Sequence, residues 1–133
     1  MPKEIIAVAF VESKYTNPKQ KPNGRAAGMW QFIAPTARKF NLKVNESVDE
    51  RLDIGLETDA AMRYLSALHM QFQSWELALM AYNAGEGRVQ KAIDKHKTRN
   101  AWELAKHGVE GDTGYLSKVI AASIILKYPN KFM

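Results

Sequence analysis

Cysteine is absent from this 133-residue chain, which excludes disulfides and thiolate-held metals and leaves the redox compartment open. No apolar run approaches the roughly 20 residues that a membrane-spanning helix requires. An export signal is not visible either, because Met1-Pro2-Lys3-Glu4 leads straight into a helical pattern. The expectation is a domain cut from a longer exported chain. Repeats, low-complexity tracts, an interdomain linker, paired strands and a P-loop are all missing from the pattern, so the expected architecture is a single all-α domain.

What is present is ordinary for a folded domain: 46% hydrophobic residues and 25% charged residues, on a chain long enough to close one core. Nineteen Lys and Arg against fourteen Asp and Glu give a charge of +5. That favours an anionic partner, and nucleic acid, a membrane surface and an acidic wall polymer all qualify. Nucleic-acid binding would gather the positive charge on one face of a helix-turn-helix pattern. Here it is scattered, with Lys91, Lys95, Lys97 and Arg99 only loosely clustered, so no nucleic-acid partner is expected.

The first helix runs to about Lys14, with Ile5, Val8 and Ala9 as its apolar stripe and Glu12 at the next position of that stripe. Glu is almost never fully buried unpaired. Two readings remain open. A desolvated carboxyl holds its proton towards neutral pH and can act as a general acid; alternatively, Glu12 is a buried partner of a Lys or Arg. Residues 16–28 collect turn formers, Asn17-Pro18, Pro22-Asn23-Gly24 and Gly28, and read as a loop. Met29-Trp30-Gln31-Phe32-Ile33 follows. Trp30 and Phe32 are either core or, for Trp30 with Gln31, a surface that stacks on and hydrogen-bonds to sugar.

Ala34-Pro35-Thr36 opens a short helix to about Phe40, and Asn41 to Asp53 reads as a polar loop whose local ion pairs contribute little. That loop lacks the spacing and central Gly of a calcium loop. Residues 55–73 form the clearest helix, with Leu56, Ala60, Ala61, Tyr64, Leu65, Leu68 and Phe72 as its stripe and His69 beside it as a helix-surface or packing histidine. No second ligand stands four residues from His69, so no metal is expected. Ser74 is a candidate N-cap for an apolar helix through Tyr82, which Gly85 would end in a left-handed conformation. Asn83 is then either a capping residue or a polar group displayed at the end of a buried helix. A helix through Val89 and Ile93, a short one near Trp102 and a last one from Leu116 to Lys127 complete the pattern; Asp112 or Thr113 is its expected cap and Pro129 its stop. Tyr115, in its first turn, could face core or groove.

Val11-Glu12-Ser13, then Gly28-Met29-Trp30-Gln31 with Pro35-Thr36-Ala37, then Ala81 through Val89 occur in the order and spacing of one family. On these blocks the chain resembles the lytic transglycosylases of the goose-lysozyme-like glycoside hydrolases, closest to their membrane-bound D subgroup. The resemblance implies a lysozyme-like α fold with a cleft for peptidoglycan glycan strands, a monomer in the periplasm or cell envelope, and no cofactor. It implies Glu12 as catalytic acid and Ser13 as support of its helix. Trp30 and Gln31 would line the cleft floor, Tyr82 and Asn83 would face the reacting sugar, and Tyr115 would contact the catalytic region. Two positions depart from the pattern: Lys21 stands where members often have Ser, and Glu110-Gly111-Asp112-Thr113-Gly114-Tyr115 replaces a Glu-Thr pair just ahead of the Tyr. A hydrolytic lysozyme or chitinase on the same fold, and a non-catalytic wall-binding module, are the alternatives.

Overall fold

The helical spacing is realised as seven α-helices in the computed structural model, which describes residues 1–110, 114–128 and 130. The chain divides into two compact units, Met1–Tyr64 with Ala122–Met133, and Leu65–Ala121, the boundaries falling inside helices.

In the first unit a 3₁₀ turn, Lys3–Ile6, leads into α1, Ala7–Ser13. Ile5, Val8 and Ala9 are buried, as their spacing requires, and Glu12 follows on the last turn, half-buried. The helix stops abruptly because Lys14 and Tyr15 both adopt positive φ, 55° and 60°, a conformation that strains residues bearing a Cβ. Beyond the loop, β1 (Ala26–Ala27) pairs antiparallel with β2 (Phe32–Ile33). This hairpin corrects the expectation that no strands pair: at two residues each, the strands are too short to show a period of two in sequence. Next come α2, Ala34–Lys39, with Pro35 in its first turn, and α3, Ile54–Phe72.

The largest departure from expectation lies between α2 and α3. Glu50–Leu52 forms a 3₁₀ turn, and Arg51, expected in a solvated ion pair, is only 2% exposed. Its Nε and Nη2 donate to the two Asp49 oxygens at 2.8 Å each. Nη2 also reaches Gln20 Oε1 at 2.8 Å, and Nη1 reaches Phe32 O at 3.0 Å and Arg25 O at 3.1 Å. All five guanidinium protons are thus used, the condition for burying such a group without large loss. Two of the acceptors are main-chain carbonyls that flank and belong to the hairpin, so one side chain sets the position of both strands.

The second unit is built on α4, Trp75–Ala84, whose Leu77 to Ala81 are all buried. Ser74 caps it, accepting the Leu77 N–H at 3.2 Å, and His69 stacks on Trp75 with ring centroids 4.1 Å apart. Gly85 ends α4 and at the same time begins α5, Glu86–His96. Its φ of 94° is positive, as expected, but ψ is 139°, so it is not a left-handed helical residue. Asn100 caps α6, Ala101–Lys106, through the Trp102 and Glu103 N–H groups. α7 spans Tyr115–Lys127; its predicted cap, Asp112 or Thr113, and its predicted stop, Pro129, lie outside the described residues. Leu116 and Val119 are buried, whereas Ile124, assigned to the same stripe, is 46% exposed.

Replacing Arg51 by Met should cost about 3–5 kcal/mol, because Asp49 and the carbonyls lose a buried cation together. Urea unfolding measures it. The Arg51 hydrogen bonds hold the Asp49 carboxyl below its ordinary pKa of 3.8. The stability this contributes is complete above that value and should disappear as pH falls through the lower, folded-state pKa, and Arg51→Met should abolish that part of the acid dependence.

Candidate active site

Four of the residues predicted for the site lie in the first unit and three in the second. Glu12 and Ser13 occupy the end of α1, and Trp30 and Gln31 occupy the turn between β1 and β2. Ser13 joins the two places. Its Oγ lies 2.8 Å from Met29 O and 3.0 and 3.2 Å from Thr16 O and Ala9 O. A hydroxyl has one proton to donate, and the shortest of these directs it to the turn. Ser13 therefore does more than support its own helix: it fastens the residue next to Glu12 onto the Gly28–Gln31 turn.

The turn is held from several sides. Gly28 N–H donates to Pro18 O at 2.8 Å, Met29 N–H to Asn17 Oδ1 at 2.9 Å, and Trp30 N–H to Glu57 Oε1 at 3.2 Å. Gly28, at φ 85°, leaves no alternative residue. A Cβ there would stand 2.0 Å from Arg51 O and 2.4 Å from Glu57 Oε1. Gln31 is held at φ 54°, with its Nε2 donating to Gly28 O at 2.8 Å. A bulky residue in that conformation persists only where its surroundings impose it.

Trp30 is 2% exposed, and its indole N–H is spent on Thr58 Oγ1 at 2.9 Å. The core reading of Trp30 and Phe32 therefore describes their packing, and Gln31 is the half-buried side chain of the pair expected on the cleft floor. Trp30 also borders an apolar cavity of about 330 Å³ with Ile5, Ile6 and Met62.

In the second unit, Tyr82 and Asn83 are consecutive, half-buried residues in the last turn of α4. At the end of that helix the Gly85 N–H donates to Ala81 O at 2.8 Å. Tyr115 opens α7 and is 1% exposed, which resolves its two orientations in favour of the interior. Glu110, one of the candidates for the family's second acidic position, accepts the Leu116 N–H at 2.6 Å and so caps the helix that carries Tyr115. Asp112 and Thr113 lie outside the described residues. Among the described residues no three His, Asp or Glu side chains assemble where they could hold a metal ion.

Sequence reasoning passed over Glu57. It is wholly buried, and its Oε2 has no hydrogen-bond partner among the described residues. Burial raises its pKa from 4.5 to about 7, against the Trp30 and Met29 backbone hydrogen bonds, and the charges of Asp53 and Asp49 push the same way as burial. A signal existed. Glu57 stands three and four residues before the buried Ala60 and Ala61, the same test that singled out Glu12, while Leu56, assigned to that stripe, is 44% exposed.

Two outcomes follow. Gly28→Ala should destabilise the fold by about 2 kcal/mol or more, since the obstructing carbonyl is main chain and cannot turn aside; thermal unfolding reads this directly. Because the unfolded Glu57 ionises near 4.5 and the folded one near 7, stability should fall as pH rises between those values. The decline should total on the order of 3 kcal/mol and level off above about pH 7. Glu57→Gln should remove that slope, measured as unfolding free energy against pH.

The model of the transglycosylase SLT domain matches residues 1–105. Membrane-bound lytic murein transglycosylase D of Escherichia coli K12 is 36% identical over 137 aligned residues, covering 99% of this chain and 30% of the relative. Its counterpart from Escherichia coli O6:H1 matches to the same extent. The X-ray structure of an inactive mutant of the lytic transglycosylase Slt from Pseudomonas aeruginosa superposes with a TM-score of 0.69 at 25% identity, over 96% of this chain and 22% of that one. The chain thus spans about a third or less of the length of these relatives. With an all-α fold that superposes on that of Slt and a family model matching most of its length, the chain belongs to the transglycosylase SLT domain family.

Proposed function

We propose that the chain is the catalytic domain of a peptidoglycan lytic transglycosylase, acting in the periplasm or cell envelope on the β-1,4 bond between N-acetylmuramic acid and N-acetylglucosamine. The observation that carries this reading is the 36% identity, along 99% of the chain, to a protein named as a lytic murein transglycosylase. The net charge of +5 suits the carboxylates of peptide stems on that polymer.

The chemistry assigned to Glu12 needs one carboxyl in two successive states. Ordinary glycosidases divide the work between two carboxylates, one protonating the leaving oxygen and one serving as nucleophile or base. Here protonated Glu12 gives its proton to the glycosidic oxygen as the C1–O bond breaks. The 2-acetamido oxygen of the muramyl residue closes on C1, giving an oxazolinium ion, and Asn83 and Tyr82 orient that group. Ionised Glu12 then takes the proton of the muramyl O6 hydroxyl, whose oxygen attacks C1 and expels the acetamido oxygen. Glu12 ends protonated, the product carries a 1,6-anhydro ring, and no water is consumed. A carboxyl that serves as acid and then base works best with a pKa near the working pH.

Ser13 and Gln31 support this assignment from the first unit: Ser13 ties the end of α1 to the turn, and Gln31 is its partly accessible side chain. Trp30 and Tyr115 are buried, so their contribution is to shape the elements that carry the others.

Incubation of the protein with isolated peptidoglycan should release muropeptides lighter by one water than hydrolysis products and lacking a reducing end, identified by mass spectrometry. Glu12→Gln should lower that release at least ~100-fold while leaving the fold intact. Reducing-end products would assign the chain to the hydrolytic lysozymes instead. Wall binding without release, by both proteins, would make it a binding module.

A further inference from the structure

Glu57 is a carboxyl where an apolar side chain would be expected. It is wholly buried, it has one oxygen without a hydrogen-bond partner among the described residues, and it sits in the first turn of α3. Burying such a group unpaired is costly, and apolar residues fill equivalent positions more cheaply. Its directed contacts are with the Gly28–Gln31 turn, through the Trp30 N–H at 3.2 Å and the Met29 N–H. The Trp30 N–H is itself buried, and without an acceptor it would be left orphaned. The main chain has no freedom to find another: Gly28 is wedged between Arg51 O and Glu57 Oε1, and Gln31 is confined to φ 54°. From the other side of the same turn, Met29 O takes the Ser13 proton, and Ser13 follows Glu12.

We propose that Glu57 is a positioning residue for the reaction: its carboxyl oxygen fixes the Gly28–Gln31 turn, and through the Ser13–Met29 hydrogen bond it fixes the end of α1 that carries Glu12. The inference rests on the transglycosylase reading given above. It explains why a carboxyl occupies this place, since only an acceptor answers the Trp30 N–H. It also ties the turn to the protonation of Glu57, because an ionised carboxylate there is desolvated beside two acidic side chains. The titratable groups that act on Glu57 are Asp53 and Asp49, both acidic, and the Arg51 guanidinium is occupied by Asp49, Gln20 and main-chain carbonyls. None of these titratable groups offers positive charge to an ionised Glu57, and burial outweighs the Trp30 and Met29 N–H groups to keep it neutral up to about pH 7.

The test compares wild type, Glu57→Gln and Glu57→Leu, each at full length and checked for its fold by circular dichroism. Product release from purified glycan strands and binding to them are measured separately, from pH 5 to pH 9. Glu57→Leu removes the acceptor while keeping the site filled; its saturated turnover should fall at least ~10-fold with binding changed by less than ~3-fold. Glu57→Gln keeps a carbonyl oxygen for the Trp30 N–H and should restore turnover to within ~3-fold of wild type. Its activity should decline less than that of wild type between pH 6 and pH 8.

Wild-type turnover in Glu57→Leu, or a loss explained by its unfolded fraction alone, overturns the inference and leaves the transglycosylase reading intact. If Glu57→Leu does not fold, the pH profile of Glu57→Gln decides, and a profile superimposable on that of wild type overturns the inference. A wild-type protein that releases no product overturns the functional reading, and this inference with it.

Discussion

The Arg51 guanidinium is the constraint on which the first unit depends. It is a permanent charge taken out of water, and it is tolerable there only because every one of its five protons meets an oxygen. Those oxygens come from Asp49 and Gln20 and from the backbone at Arg25 and Phe32, so the residues that satisfy it must all be in place at once. The hairpin between Arg25 and Phe32 has two residues per strand and would not be stable by its own pairing. It is held because its carbonyls complete the coordination of a buried cation.

The Gly28–Gln31 turn inherits that rigidity. The main chain of Arg51 and Leu52 contributes as well, since Arg51 O presses on Gly28 and Leu52 O accepts from Asn17, whose Oδ1 receives the Met29 N–H. Three residues with a Cβ sit at positive φ close along the chain to the proposed chemistry: Lys14 and Tyr15 just after Glu12 and Ser13, and Gln31 in the turn. Each costs on the order of 1–3 kcal/mol. Strain of that size survives where the surroundings over-determine the backbone, and the dense hydrogen bonding of the turn supplies that condition.

Much of this architecture could be read from the chain. The stripes of α1 and α3, the Ser74 cap and the positive φ at Gly85 follow from spacing and turn chemistry, because those effects are local. Glu12 was found because a polar residue interrupted an apolar stripe. Glu57 meets the same criterion two helices later but is masked by the neighbouring Leu56, which spacing also fits to the stripe, although Ala60, Ala61 and Tyr64 place Glu57 on the inner face. Arg51 is different. A run containing Asp49, Glu50, Arg51 and Asp53 has the composition of a solvated surface, and nothing local distinguishes the one cation that will be buried. Apart from Asp49, its acceptors are carbonyls gathered by the fold, as many as thirty-one residues distant in sequence. The strand pair was hidden for a related reason: it is defined by partners, not by periodicity.

Gly28 and Gly85 share a positive φ but place different demands on the residue. At Gly28 there is no room, since a side-chain atom would collide with backbone. At Gly85 there is nothing within 4 Å of the place a Cβ would occupy. What Gly85 excludes is therefore a handedness and not a volume. Gly85 also closes α4 and opens α5 with no residue to spare. One inserted residue would turn α5 by about 100° relative to α4, carrying buried Val89 and Ile93 away from the core of their unit.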